Sequence, residues 1–77
     1  MSIAERAKQM YDRELRAQLE SNHRDKYVAI EPESKSYFLG DSFIDAALAA
    51  KAAYPDRKSF VLRIGHEAAF HIGASST

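Results

Sequence analysis

The sequence predicts an α+β fold of order α-β-β-α-β-β, with a four-stranded antiparallel sheet in the order 2-1-3-4 and both helices packed on it. Three observations carry this. Ala4, Ala7, Tyr11, Leu15 and Leu19 recur every three or four residues, the period of one helical face. Two short apolar runs, Tyr27 to Ile30 and Tyr37 to Leu39, flank a polar turn. An alanine-rich stretch then runs between the Asp41-Ser42 pair and Pro55.

The first helix is placed over residues 1–22. Ser2 and Glu5 have the spacing of a capping box, and the helix is expected to end near Ser21 or Asn22. Its outer side carries Arg6, Lys8, Asp12, Arg13, Glu14, Arg16 and Glu20, with Asp12 and Arg16 set as an i,i+4 pair. A charged link, His23 to Lys26, leads into the hairpin. Pro32 lacks an N–H and ends the first strand, and Glu31 to Lys35 is turn chemistry. Gly40 closes the second strand, and Asp41 or Ser42 caps a helix from Phe43 to Tyr54. That helix is apolar on nearly every side, which predicts burial on more than one side, with the Lys51 stem buried between Ile44 and Leu48.

Ser59 to Ile64 alternates, with Phe60, Leu62 and Ile64 on one face and Val61 and Arg63 on the other. Gly65-His66-Glu67 is a tight connection to a fourth strand, Ala68 to Ile72, and residues 73–77 are expected to fray. The core is thus residues 27–72 within a single domain, 1–77. The second helix is expected over the sheet face of Phe60, Leu62 and Ile64. The face of Tyr27 or Phe38, Val61 and Ala69 is then left for the first helix or for another subunit.

A chain of 77 residues buries a small share of its surface and is marginal by itself. It has no cysteine, so neither disulfides nor Cys-based zinc sites can supply stability. Association is the remaining route, which points to a homodimer or another protein partner. The formal net charge is zero, which argues against a general nucleic-acid binder. No apolar run approaches the ~20 residues a membrane helix needs. The opening segment reads as a charged helix rather than a signal peptide, so the cytoplasm is the expected location.

No catalytic constellation emerges, and no cofactor or metal is expected. His66 and His71 are five apart, not the four of a helical zinc motif, and an odd separation on a strand puts them on opposite sides. Arg63 inside an apolar strand is either paired with a carboxylate such as Glu31, stacked on a ring, or a recognition arginine. One glycine before Asp41-Ser42 makes a helix cap rather than a phosphate loop. The expected contact residues for a partner are Tyr11, Leu15 and Leu19 on the helical stripe, with Tyr27, Phe38, Arg63 and His66 on the sheet. Two other readings are weighed beside it. One is a nucleic-acid binder using Arg63, Arg57, Lys58 and the strand aromatics; the other is a minimal enzyme built on His66, Glu67 and His71.

The residues Tyr27-Val28-Ala29-Ile30, Pro32, Ser34, Tyr37-Phe38-Leu39-Gly40, Ala46 or Ala47, Tyr54-Pro55-Asp56, Phe60 and Leu62-Arg63-Ile64-Gly65-His66 form a pattern. It resembles that of a family of small bacterial αββαββ proteins of unknown function, over Lys26 to His66. Members of that family often carry glycine before the lysine of the first strand and after the turn serine, where Asp25 and Lys35 stand here. A more distant similarity is to HicB-type antitoxins, in which a Gly-Asp-Ser cap precedes an alanine-rich helix, as Gly40-Asp41-Ser42 precedes Ala46, Ala47 and Ala50. Small size, balanced charge, the absence of a catalytic constellation and surplus apolar surface lead to the expectation of a small non-enzymatic protein-binding module, antitoxin-like or an accessory subunit.

Overall fold

The chain starts its first helix at once because Ser2 and Glu5 satisfy each other's backbone. The Ser2 hydroxyl accepts from the Glu5 N–H at 3.1 Å, and the Glu5 carboxylate accepts from the Ser2 N–H at 3.1 Å. The computed structural model describes residues 2–65. The expected fourth strand, the tail, and His66, Glu67 and His71 lie outside them. The described elements are α1 (Ile3–Met10), a π-helical turn (Tyr11–Leu15), α2 (Arg16–Asn22), β1 (Tyr27–Glu31), β2 (Ser36–Gly40), α3 (Phe43–Ala53) and β3 (Phe60–Arg63).

The π-helical turn breaks the uniform first helix that the periodicity implied. Its mark is the Arg16 N–H, which bonds the Tyr11 carbonyl five residues back. The cause can be read in the sequence. Ala7, Tyr11, Leu15 and Leu19 are spaced four apart, and on an α-helix of 3.6 residues per turn each such step drifts by about 40° around the axis. One wider turn absorbs the drift and keeps the stripe on a single line. All four side chains are buried.

The three strands form an antiparallel sheet in the order β2-β1-β3. Val28 pairs with Leu39 on one side and Leu62 on the other, while Ala29 pairs with Phe38 and Val61. That register sorts the side chains onto two faces. Val28, Ile30, Tyr37, Leu39, Phe60, Leu62 and Ile64 meet the stripe of the first helix, together with Met10. Tyr27, Ala29, Phe38 and Val61 meet Phe43, Ala46, Ala47 and Ala50 of α3. The sheet is therefore covered on both faces, each by one helix.

This reverses the expected placement of the helices. The expectation put the alanine-rich helix over Phe60, Leu62 and Ile64; α3 instead lies over Val61 and Ala29. The reason is steric. Where α3 crosses that face the contacts are small, Ala29 and Gly40 against Ala46 and Ala50, so a thin helix can sit close between Tyr27 and Phe38, while the other face needs the Leu, Met and Tyr side chains of the first helix to fill it.

The closest approach is at Gly40, where an added Cβ would stand 2.4 Å from the Ala46 backbone nitrogen. Gly40→Ala must push α3 off the sheet, and the expected cost is about 1–3 kcal/mol, readable by urea titration. A change within about 0.5 kcal/mol would contradict the close packing.

The turn between β1 and β2 places Lys35 at φ +60°, and the link before β1 places Asp25 at φ +73°. Both are in the left-handed region, where a side chain is strained by about 1–2 kcal/mol. Lys35 is exposed, so Lys35→Gly relieves the strain and removes little else. The expected gain is roughly 0.5–1 kcal/mol after the entropy cost of glycine, seen as a raised denaturant midpoint. A lowered midpoint would show that the Lys35 side chain itself supports the turn.

Candidate interaction surface

α3 is fixed at both ends by local chemistry. The Ser42 hydroxyl caps it by accepting from the Asp45 N–H at 3.1 Å. Asp45 lies in the first turn and Lys51 in the last, each opposite in sign to its end of the helix dipole. Beside the N-terminus, Lys26 of the link pairs with Asp41, which holds the Asp41 carboxyl below its ordinary value. Pro55 stops the helix after Tyr54.

The inner side of α3 is Ala46 and Ala50, both buried, with half-buried Phe43 and Ala47. The outer side holds Ile44 and Leu48, one turn apart and 60% and 59% exposed. Lys51 and Ala52 complete that side, both exposed. The expectations that this helix is buried on several sides, and that the Lys51 stem is covered, are thereby corrected. One sheet face can bury only one side of a single helix, and no second layer lies above α3 among the described residues.

The residues expected to meet a partner are distributed differently. Tyr11, Leu15 and Leu19 are buried against the chain's own sheet, at 5%, 6% and 0% exposure. Tyr11 also donates its hydroxyl to Glu20 at 3.0 Å, and burial, then that bond, push its phenol pKa up. Phe38 is half-buried, edge-on to Tyr54 at 6.2 Å between ring centres. Tyr27 is half-buried, with the Arg63 guanidinium over its ring at 5.7 Å. Arg63 also donates to the Asp25 carbonyl at 3.4 Å, so the ring-stacking reading of this arginine is the one observed. His66 lies outside the described residues.

Glu31, the carboxylate named among the alternatives for Arg63, has a different partner. Glu31, 1% exposed, accepts from the Glu33 N–H at 2.8 Å, the Ser34 N–H at 2.9 Å and Arg57 at 3.2 Å. Burial opposes its charge, but the hydrogen bonds from Ser34 and Glu33 and the nearby guanidinium outweigh it, and its pKa is lowered. Arg57 bridges on to Glu33 at 3.6 Å and lies over the Tyr54 ring at 5.7 Å. This cluster locks the hairpin turn to the segment after α3. The sequence hides it because a glutamate at a strand end gives no sign of burial.

A cleft of about 310 Å³ lies between the first helix and the hairpin turn, with Arg6, Arg13, Glu14 and Lys35 around a floor of Met10 and Pro32. Its lining brings no nucleophile and base together. Among the described residues, no group of three or more His, Asp or Glu could hold a metal ion, and no helix is long and apolar enough to cross a membrane. No family model matches the chain, and neither a curated protein nor a solved structure is detectably similar to it.

Proposed function

We propose that this chain is a small non-enzymatic protein-binding module, an accessory subunit or antitoxin-like protein, that docks through the outer side of α3. The observation that carries the reading is the pair Ile44 and Leu48. Among the described residues they are the exposed large hydrophobics, while the stripe of the first helix and the apolar residues of the strands are packed in the two core clusters. Two such side chains in one turn give a partner an anchor, and the flanking Asp45 and Lys51 give it orientation. The docking surface therefore moves from the first-helix stripe and sheet face to α3.

The nucleic-acid reading finds less support. Arg57 is engaged by two carboxylates, Arg63 is stacked on Tyr27, and the aromatics Tyr27 and Phe38 lie under α3. The test is capture of a binding protein from source-cell extract, followed by reconstitution with that protein purified. Leu48→Glu is expected to abolish the reconstituted complex, and Arg13→Glu on the first helix to leave it intact. A complex indifferent to Leu48 and lost with Arg13 would sink the proposal.

A further inference from the structure

The outer side of α3 is self-complementary, and we infer that its occupant is a second copy of this chain, packed antiparallel with Leu48 on the two-fold axis. The inference rests on the reading of this side as a docking surface. On a wheel of 3.6 residues per turn, Leu48 projects directly away from the buried line of Ala46 and Ala50, so it is the centre of the patch. The residues around it are arranged symmetrically in kind. Three positions before Leu48 is Asp45 and three after is Lys51; four before is Ile44 and four after is Ala52. An antiparallel copy centred on Leu48 brings Asp45 level with the second copy's Lys51, twice over. It also sets each bulky Ile44 level with the second copy's Ala52, so large meets small across the seam.

A parallel copy would align Asp45 with Asp45 and Lys51 with Lys51, and like charges at an interface disfavour that arrangement. Asp45 and Lys51 make no ion pair within the described residues. Both are exposed, as are Ile44, Leu48 and Ala52, so none of the described residues has to move aside. With a net charge of zero, two copies meet without long-range repulsion. The contact is isologous and closed, so it ends at a dimer rather than a filament.

The test uses the full chain. Sedimentation equilibrium is expected to give a dimer, and Leu48→Glu a monomer with unchanged far-UV circular dichroism. Milder Leu48→Ala is expected to weaken association roughly 30-fold, the effect of removing one interface anchor. Because the chain has no cysteine, Leu48→Cys introduces a single thiol per copy. With copper(II)–phenanthroline as oxidant, two copper(II) ions taking one electron each and the two thiol protons passing to the buffer, it should form a disulfide-linked dimer, and exposed Gln18→Cys should not.

A monomeric wild type, or a dimer untouched by Leu48→Glu, overturns the inference. If the wild type is monomeric yet a different purified protein binds it in a Leu48-dependent way, the dimer falls and the docking module stands. If neither association depends on Leu48, both fall.

Discussion

Leu19→Ala is expected to destabilise the protomer by about 2–5 kcal/mol, while Leu48→Ala measured in the dilute limit stays within about 0.5 kcal/mol of wild type. Both residues are leucines on helices of the same small domain, so composition and propensity treat them alike. Their surroundings differ. Leu19 is fully buried, at the end of the stripe that fills the bulky face of the sheet, and truncating it leaves a cavity. Leu48 is 59% exposed and touches no core, and alanine keeps its helix. In a domain this size the first change lowers the melting temperature by roughly 10–25 °C. Thermal denaturation of the two variants settles the contrast. A Leu48→Ala protomer as damaged as Leu19→Ala would mean that Leu48 is covered by the chain itself.

Glu31→Ala is expected to cost about 2–4 kcal/mol, because it strands the Glu33 and Ser34 N–H groups and leaves Arg57 without its buried acceptor. The same cluster makes stability depend on acid. The folded-state pKa of Glu31 is lowered from its ordinary 4.5. Its stabilising contribution is therefore complete above that ordinary value, begins to fall as pH drops below it, and is lost once pH passes the folded-state value. Glu5, Glu20 and Asp41 are lowered as well, by Ser2, by Tyr11 and Arg16, and by Lys26 respectively. They face solvent, where screening leaves such pairs little weight. Urea midpoints from pH 7 down to pH 3 should decline for the wild type and decline less steeply for Glu31→Gln. Parallel curves would remove Glu31 from the account.

Much of the fold was legible because local rules governed it. Pro32, Gly40, Ser42 and Pro55 punctuate the chain, and the ends of the hairpin strands and of α3 fall within a residue or so of where those signals put them. The antiparallel order β2-β1-β3 followed from the helix between the hairpins, which carries the chain back along the sheet so that the third strand, set beside the first, runs antiparallel to it. What periodicity cannot supply is which helix takes which side of a sheet, because it groups residues into faces without pairing the faces. The missing signal was volume. Ala29, Gly40, Ala46 and Ala50 are all small, and read together they mark the line along which α3 and the sheet meet. The four-residue spacing from Ala7 to Leu19 likewise encoded the π-helical turn.

The candidate interaction surface was less legible for the same reason. An alanine-rich helix with scattered Ile and Leu looks apolar all round, and the sequence does not separate the side that packs from the side that does not. Once Ala46 and Ala50 face inward, helical geometry turns Ile44 and Leu48 outward. The Tyr11, Leu15 and Leu19 stripe, the clearest helical periodicity in the sequence, is by contrast consumed by folding.

The most direct measurement is a dilution series of the full chain followed by residue-resolved NMR. Concentration-dependent shifts are expected to be confined to Ile44, Asp45, Leu48, Lys51 and Ala52, with Tyr11, Leu15 and Leu19 unmoved. Shifts that follow the first-helix stripe, or a spectrum that does not change with concentration, would contradict the α3 dimer.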